Sequence, residues 1–584
     1  MPLSAFSSAC SDGRAGSVCT SSADCSVDLV CVHARGATSG ICIEPDEDHG
    51  ALPPPPSGGG LALTVNRDVD ILFVIDNSGS MGEEQAILAD NFGSFIAVLE
   101  AEGVEANYRI GITTSDSGNP SCPSGVTTPE AGQLVLSSCK DRIGEFTFNN
   151  GEIDVTDLAC NDICTLSAAE LEILPTTTDV DSNAVPRPWL ENIEGRKNIP
   201  EATDVGEAFK CFGPQGINGC GFESQLESMY LALTRAQDSN EASYGFLRAN
   251  AILAVVVVTD EADCSYNKSY SEIFEQDGNR VFWSDPNASF PSSAVCWNAG
   301  VTCTGDPNNY DSCNPVNKDV DGNEDVSEAN AVLHPLSRYV GLLDGLEQEK
   351  QQLNADQEVI VALIGGVSSD GAPFYADVST TDPAFQSDFG IGPGCEAPNP
   401  FDPDQPVQAV PPVRLRDVVE DFTPGNMFSI CNDDYSDALV AIAAKIRDEI
   451  QPACYTKCVR DTDPATELVD PVCTVQEDPP GNDNTILVEE CERDGGGAYV
   501  INPTTNDYTM PAADANICYA LLTDATMLTP STADDMSDSC AEHNFNLEFE
   551  IARRPGFPAV GGTSISATCS LVDFPEVTCP GIGG

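Results

Sequence analysis

Residues 69–82 have the sequence VDILFVIDNSGSMG, and this stretch decides the fold. Its first seven residues form an almost unbroken apolar run with several β-branched side chains, which is the pattern of a strand buried on both faces. A polar turn follows, and residues 83–99 then repeat apolar side chains at helical spacing. The stretch therefore predicts a buried strand, a tight loop and a helix.

The same alternation of strand and helix continues along the chain. Four further strands are predicted, at residues 108–116, 251–258, 358–365 and 426–430, and residues 251–258 are fully apolar. Helical patterns are found at residues 223–235, 332–350 and 435–450. Buried strands that alternate with helices predict the α/β class, with a doubly wound, mostly parallel, Rossmann-like sheet.

The composition changes outside these elements. Residues 1–43 contain a short apolar start and a cysteine-rich segment, which is predicted to be a disulfide knot because it has too few apolar residues for a core. Residues 44–60 are rich in Pro and Gly and are predicted to be a linker. We expect the α/β domain to span residues 61–453, and residues 454–584 to form a separate, cysteine-rich, mostly β domain.

Two long insertions are predicted within the α/β domain, at residues 117–219 and 265–330. Both are rich in Asn, Asp, Pro and Gly and contain several cysteines. We therefore expect loop-like excursions that disulfides hold in place.

The net charge restricts the choice of partners. The chain has 26 Lys and Arg residues against 93 Asp and Glu, a formal net charge of −67. Such a surface repels nucleic acid and anionic membranes, so neither is an expected partner. The acidity has two interpretations, a solvated and self-repelling surface or a chain that collects divalent cations.

The 25 cysteines and four histidines indicate an exported protein. The cysteines lack the CxxC spacing of zinc sites, and with so few histidines they favour disulfides formed in an oxidising compartment. Because the count is odd, at least one cysteine is left over. Cys10 follows a short apolar segment and is a candidate for lipidation, the expected route to a membrane in a chain with no long apolar stretch. The expected location is the cell surface, the outer envelope or the medium.

The turn after the first strand has the composition of a cation site. Asp76, Ser78 and Ser80 form a D-x-S-x-S motif, and alternate residues of a tight loop can direct their oxygens to one point. Asp260 follows another apolar strand, and ligands bind at the carboxyl ends of strands in sheets of this kind. One or two carboxylates and two hydroxyls suit Mg²⁺ or Ca²⁺. The alternative is a serine-rich turn in which Ser80 caps the helix.

In its strand, loop and helix, residues 64–453 resemble von Willebrand factor type A (VWA) domains of bacterial surface and secreted proteins. The D-x-S-x-S motif is similar to their metal-ion-dependent adhesion site. The resemblance implies that Ser78 and Ser80 are direct ligands, and that Asp76 and Asp260 act directly or through water. It also implies an open coordination position for a partner, often filled by a carboxylate.

The sequence departs from the family at two places. The family's threonine is not found in the loop 219–223, where Glu223 is a conceivable oxygen donor; Thr203 has the right side chain but lies further upstream. Glu261 follows Asp260 where the family usually has glycine. A carboxylate at position 223 would favour Ca²⁺ and reduce the demand for an outside ligand.

A second candidate for Ca²⁺ lies in the later insertion. Residues 317–328 fit the twelve-residue spacing of an EF-hand loop, with a glycine at the sixth position. The candidate ligands are Asn317, Asp319, Asp321, Asn323, Asp325 and Glu328. No helical pattern precedes the loop, so the alternative is an ordinary polar loop in an acidic chain.

The motifs favour binding over catalysis. The chain has no HExxH, no GxSxG and no phosphate-binding loop. We therefore expect an adhesion or protein-binding protein that is not an enzyme, whose partner is an extracellular or envelope protein. The alternative is a structural envelope subunit in which metals and disulfides only stabilise the fold, and an unrecognised enzyme site in the C-terminal domain is a third hypothesis.

Overall fold

The computed structural model describes most of residues 67–572, together with Cys579 and the backbone of four short strands before residue 64. The gaps are at residues 102–103, 105, 123–128, 194, 352–356, 380–381, 400–405, 451–452, 463–465, 467, 479–485, 496, 503–507, 538–539, 542–543 and 555–563. No helix among the described residues combines the length and apolar character that crossing a bilayer requires.

The chain forms two compact units, Met1–Gly59 and Gly60–Gly584. In the first unit, β1 (Val18–Cys19), β2 (Val30–Val32) and β3 (Gly40–Ile43) form an antiparallel sheet in the order β1-β3-β2. The predicted cysteine pairing of the knot, the linker 44–60 and Cys10 lie outside the described residues.

The second unit begins with the elements of the α/β domain and one strand before it. In chain order these are β4 (Leu61–Leu63), β5 (Asp68–Ile75), α1 (Gly82–Leu99), β6 (Asn107–Thr114), β7 (Thr147–Phe148), β8 (Ile153–Asp154), β9 (Trp189–Ile193), β10 (Arg196–Lys197), α2 (Val205–Phe212), α3 (Gln225–Ala236), β11 (Ile252–Val258), α4 (Ala294–Gly300), β12 (Val301–Asp306), β13 (Asn309–Pro315), α5 (Ser337–Gln351), β14 (Ile360–Gly365), α6 (Phe385–Phe389), β15 (Cys395–Ala397), β16 (Val407–Ala409), α7 (Val413–Phe422), β17 (Met427–Ser429) and α8 (Ser436–Glu449). The remaining strands are β18 (Ala453–Cys454), β19 (Cys473–Asp478), β20 (Ile486–Glu490), β21 (Ile517–Leu522), β22 (Glu548–Arg553) and β23 (Ser564–Cys569).

The central sheet has the strand order β10-β9-β6-β5-β11-β14-β17. The five strands from β6 to β17 are parallel, as the sequence predicted, and β5 lies between β6 and β11 in the middle of the sheet. Two antiparallel strands, β9 and β10, extend it at one edge. The predicted class, a large and mostly parallel α/β sheet, is confirmed.

Helices cover both faces of this sheet because alternate residues of each strand point in opposite directions. On one face, Phe73 packs with Phe92 and Phe95 of α1 and with Phe209 of α2, and the apolar side of α8 joins them. On the other face, Leu72 packs with α3, α5 and α7. β5 is thus buried from both sides, which explains its unbroken apolar sequence.

The first insertion contains more regular structure than the loop-like excursion that its composition predicted. Strands β9 and β10 lie within it, and α2 packs against α1, since a Cβ on Gly206 would lie 3.1 Å from the Cα of Gly93. β9 has only five residues, which are too few to form a recognisable strand pattern in the sequence. The predicted helix at 332–350 begins five residues later, at Ser337, because Pro335 disfavours helical backbone in the residue before it.

The α/β domain is inserted into the β domain that follows it. The second seven-stranded sheet has the order β18-β22-β21-β20-β19-β23-β4, so β4 at residues 61–63 belongs to it and not to the α/β domain as the expected boundary had it. Next to this point Arg67 forms an ion pair of 2.8 Å with Glu550 of β22. The chain therefore enters and leaves the α/β domain next to the same sheet.

Ten disulfides join all 20 cysteines from Cys122 onward. They are Cys122–Cys220, Cys139–Cys160, Cys164–Cys211, Cys264–Cys296, Cys303–Cys313, Cys395–Cys431, Cys454–Cys540, Cys458–Cys579, Cys473–Cys569 and Cys491–Cys518. The odd cysteine of the chain is therefore one of the five before residue 43.

Candidate metal centre

The candidate site lies where three neighbouring parallel strands end. The N–H of Asp76 donates to the carbonyl of Val258 (2.9 Å), and the N–H of Ser115 donates to the carbonyl of Ile75 (3.1 Å). The loops after β5, β6 and β11 are therefore fastened to one another directly beyond the sheet. This is the edge at which α/β sheets bind ligands.

The Asp76 carboxylate is fully buried and is held by three donors. Its Oδ1 accepts from the N–H of Ser78 (2.9 Å) and from the hydroxyl of Ser115 (3.2 Å), and its Oδ2 accepts from the hydroxyl of Thr259 (2.5 Å). Because the donors come from three different loops, they fix the position and the plane of the carboxylate. Gln225 in turn donates to the Thr259 hydroxyl (2.7 Å).

The two serines of the motif form a pair of hydroxyls at the mouth of the site. The Oγ atoms of Ser78 and Ser80 are 3.2 Å apart. Ser78 is buried and Ser80 is exposed, so the loop runs from the interior to the solvent. The first residue of α1 is Gly82, and no side chain caps this end of the helix. Ser80 is therefore not the helix cap that the alternative interpretation required.

The backbone of the motif is clamped by residues 215–219. The Gln85 side chain donates to the carbonyls of Asp76 (2.7 Å) and Gly216 (2.8 Å), and its own oxygen accepts the N–H of Gln215 (2.7 Å). Gly219 donates to the carbonyl of Asn77 (2.8 Å). These bonds satisfy the polar groups of a buried loop, which otherwise cost free energy.

Gly219→Ala should destabilise the loop by about 1–3 kcal/mol and weaken cation binding, because its Cβ would lie 2.3 Å from the Asn77 side chain. Gly221→Ala is the matched control, since the nearest atom to its Cβ is 3.9 Å away. Chemical denaturation of both variants, with and without Mg²⁺, measures the difference. Equal stability of the two variants would contradict this assignment.

The Glu223 side chain is buried near other acidic groups. Burial, and after it the negative charges of Glu261, Asp76 and Asp260, raise the pKa of its carboxyl well above the usual range. Its carbonyl accepts the N–H of Cys264 (2.6 Å), and Ser224 donates its N–H to Ser115 (2.9 Å). The loop before α3 is thus joined to the loops after β6 and β11.

A buried ion pair lies behind these loops. Asp263 accepts from Arg414 of α7 (2.9 Å), from the N–H of Leu226 (3.1 Å) and from the hydroxyl of Ser265 (2.6 Å). The Ser265 oxygen also accepts the N–H of Glu227 (2.8 Å). Two N–H groups in the first turn of α3, which have no acceptor within the helix, are therefore capped from the loop that carries Asp260, so that α3 and this loop keep a fixed relation.

The carboxyl groups around the site repel one another. Burial, and after it the charge of Asp76, raise the pKa of Asp260 to about 7. Burial also raises the pKa values of Glu84, Glu223 and Glu261 well above the usual range, and in each the strongest nearby charge is another carboxylate. A divalent cation would reverse this unfavourable balance.

The donor atoms fit a hard cation. Oδ1 of Asp260 and Oε1 of Glu223 are buried and accept no hydrogen bond, and the Ser78 and Ser80 hydroxyls lie in the same loop as Asp76. Among the described residues, no three His, Cys, Asp or Glu side chains converge as a metal-binding group. The acidic side chains alone therefore form no cage, and a cation here would depend on the serine hydroxyls. Oxygen donors of this kind suit Mg²⁺ or Ca²⁺ and not zinc.

Thr203, the other proposed completion of the site, lies elsewhere. Its hydroxyl donates to the carbonyl of Glu170 (2.9 Å), and the next residue, Asp204, caps α2. α2 packs against the middle of α1, at Gly93, and not against the start of α1 where the site lies. The structure therefore does not bring Thr203 to Asp76.

The loop 317–328 is an ordered turn on the surface. Asp319 accepts the N–H groups of Asp321 and Asn323 (both 3.0 Å), and Glu328 accepts from Ser337 (2.7 Å). Its acidic side chains do not form a metal-binding group with one another. Asn317 contributes its carbonyl to Val326, and Asp325 adopts a left-handed backbone (φ 55°). The additional Ca²⁺ remains a prediction from spacing.

Three functional neighbours were not predicted from the sequence. They are the hydroxyls of Ser115 and Thr259 and the carboxylate of Glu84. Thr259 directly follows the predicted strand 251–258, so a search for polar residues after each predicted strand would have found it. Ser115 lies inside the predicted strand 108–116 and comes after the strand only because β6 ends at Thr114. Glu84 lies in the first turn of α1, where the helix dipole favours acidic residues in any case, so its position alone does not indicate a site.

Comparisons with known proteins do not assign the chain to a family. No protein family model matches the chain, and no curated protein matches its sequence. Solved structures with some likeness are the pilus adhesin SpaC from Lactobacillus rhamnosus GG in its open conformation (TM-score 0.25, 9% identity, 87% of this chain, 39% of that chain) and the pilus adhesin RrgA from Streptococcus pneumoniae (TM-score 0.22, 10% identity, 87% of this chain, 57% of that chain). The chain thus spans about two fifths of the length of SpaC.

Proposed function

We propose that this is a cell-surface or secreted binding protein whose α/β domain is of the VWA type and holds Mg²⁺ or Ca²⁺ at Asp76, Ser78 and Ser80. The observation that carries the proposal is the immobilised Asp76 carboxylate beside a pair of hydroxyls that ends in the exposed Ser80. Ten disulfides support a location outside the reducing cytoplasm.

The cation would serve as the point of contact for a partner. Hydroxyl ligands neutralise little of its charge, so it would stay attractive to an incoming carboxylate. This matters in a chain of net charge −67, which otherwise repels acidic groups. The proposed partner is therefore an extracellular or envelope protein that offers a carboxylate.

The second candidate function is structural, with a cation that only stabilises the fold. The buried Glu223 favours it, because a carboxylate near the cation satisfies part of the charge that a partner would otherwise supply. Glu261 adds a further buried acid next to Asp260. The two candidates differ in whether an outside carboxylate contributes to binding.

An array of short synthetic peptides distinguishes these functions. Each peptide carries a central Asp in one copy and Asn in the other, and the full chain is applied with Mg²⁺ or with EDTA. We expect binding that needs both the central Asp and Mg²⁺ and that Asp76→Asn abolishes, while Asp344→Asn, at an exposed residue of α5, leaves binding unchanged. Binding that is indifferent to EDTA, or to Asp against Asn, would rule out the adhesive use. EDTA that lowers the melting temperature without any Asp-dependent binding would favour the structural function.

A further inference from the structure

An aromatic side chain from the first insertion lies directly against residues 76–80, which we name the metal loop. A Cβ placed on Gly79, between the two serines, would be 3.1 Å from Cδ1 and 3.2 Å from Cε1 of Phe148. The ring therefore covers the loop at the point where the site opens toward the exposed Ser80. A partner that approached the cation would meet this ring.

The hairpin that carries Phe148 is fixed in place. Val155 follows β8 and packs on the first turn of α1, since a Cβ on Gly82 would lie 2.6 Å from it. The carbonyl of Glu145 accepts the N–H of Ile217 (2.7 Å) within the segment that clamps the metal loop. The Cys139–Cys160 disulfide joins the segment before the hairpin to the segment after it. The hairpin therefore holds the Phe148 ring at the exposed end of the candidate site.

The hairpin presents an apolar surface to solvent. Phe148 and Ile153 are direct cross-strand partners in β7 and β8, so their side chains are neighbours. Phe148 is 40% exposed and Ile153 is 43% exposed, which is unusual for large apolar side chains placed together. We name this pair the apolar rim.

The hairpin that carries the apolar rim has a net negative charge. Glu152 and Asp154 flank Ile153 and are exposed, whereas in the turn before the hairpin the exposed Lys140 stands beside the exposed Asp141. A bound cation would add positive charge for a carboxylate next to this acidic hairpin. A partner segment with several acidic residues is therefore disfavoured, while basic residues outside the contact are favoured.

We infer that the apolar rim of Phe148 and Ile153 selects a protein segment in which the carboxylate that reaches the cation is adjacent to an aromatic or aliphatic residue, with basic residues further out. This inference rests on the proposed function and specifies its partner. An aromatic anchor beside a charged contact is a common centre of binding energy in protein interfaces. The rim would exclude water from the cation–carboxylate contact when the apolar residue packs on it.

The peptide array tests the inference when the residue next to the central Asp is varied between Phe, Leu, Gly and Asp in the presence of Mg²⁺. We expect peptides with Phe or Leu there to bind about tenfold more tightly than those with Gly, and peptides with a second Asp to bind most weakly. Phe148→Ser should remove the preference for Phe and Leu but keep the need for the central Asp. Phe374→Ser, at a residue 43% exposed after β14, is the matched control and should change neither.

The outcomes separate the inference from the proposed function. A need for the central Asp without any preference at its neighbour, or a preference that survives both Phe148→Ser and Ile153→Ser, would overturn the inference alone. Loss of any dependence on the central Asp would overturn the proposed function as well. Thermal melting of each variant shows whether it folds. If Phe148→Ser does not fold, Ile153→Ser provides the test.

Discussion

The Asp76→Asn variant is expected to melt at the same temperature with and without divalent cation, while the unmodified protein melts higher with it. A ligand at about a hundred times its Kd stabilises the folded state by about 2.7 kcal/mol, which is roughly 3 °C in an α/β domain of about 390 residues. Without cation, the variant should be as stable as the parent to within about 1 kcal/mol, since it loses a buried charge that burial already disfavours.

Asp70 supplies the matched control for this prediction. It is equally buried and lies on the same strand, but at the opposite end, where Arg248 donates to it (2.8 Å). Asp70→Asn leaves the buried Arg248 with less compensation and should cost about 3 kcal/mol whether or not cation is present. Differential scanning calorimetry of both variants in EDTA and in Mg²⁺ makes the comparison. A cation-dependent rise in the melting temperature of Asp76→Asn would contradict the assignment of the site.

Arg414→Met is expected to cost about 3–5 kcal/mol and to weaken cation binding, although Arg414 lies on α7, behind the site. The substitution leaves the buried carboxylate of Asp263 without its cation partner, and breaking such a pair from one side is strongly destabilising. It also frees the loop that carries Asp260 from α7, to which Arg414 joins it. Chemical denaturation gives the stability, and isothermal titration with Mg²⁺ gives the affinity.

Two further variants make this prediction specific. Adding Asp263→Asn to Arg414→Met should recover a large part of the lost stability, because the uncompensated charge disappears while a side-chain oxygen remains for Leu226. Arg447→Met removes an exposed ion pair with Asp448 and should change stability by less than about 0.5 kcal/mol. A double variant no more stable than Arg414→Met would show that the charge is not the cause.

The central part of the fold could be predicted because its sequence pattern has one interpretation. A run such as that of β5, apolar on both faces, fits the middle of a covered sheet, and β11 and β14 have the same character. β6 is equally buried although its sequence includes Arg109 and two threonines. The edge strands β9 and β10 could not be predicted, because short, half-buried strands have no such run. Strand β4 could not be assigned to the distant sheet, because pairing between remote segments leaves no local signal.

The candidate site, too, could be predicted from the sequence only in part. Asp76, Ser78 and Ser80 are adjacent in sequence and were predicted together, and Asp260 followed from the rule for strand ends. The choice between Glu223 and Thr203 could not be made from residue type, since it depends on which helix each residue precedes. Glu223 precedes α3, which packs beside β5, whereas Thr203 precedes α2, which packs on α1. The fold therefore decides which of the two residues lies near Asp76.

Anomalous diffraction from crystals of the full chain grown with Mn²⁺ is the most direct test of the central claim. We predict one strong anomalous peak in contact with the Ser78 and Ser80 hydroxyls, close to Asp76, Glu223 and Asp260, with at least one coordination position filled by solvent on the side of Phe148. The absence of a peak there would contradict the metal centre. A cation enclosed entirely by protein oxygens would contradict its use as a point of contact for a partner.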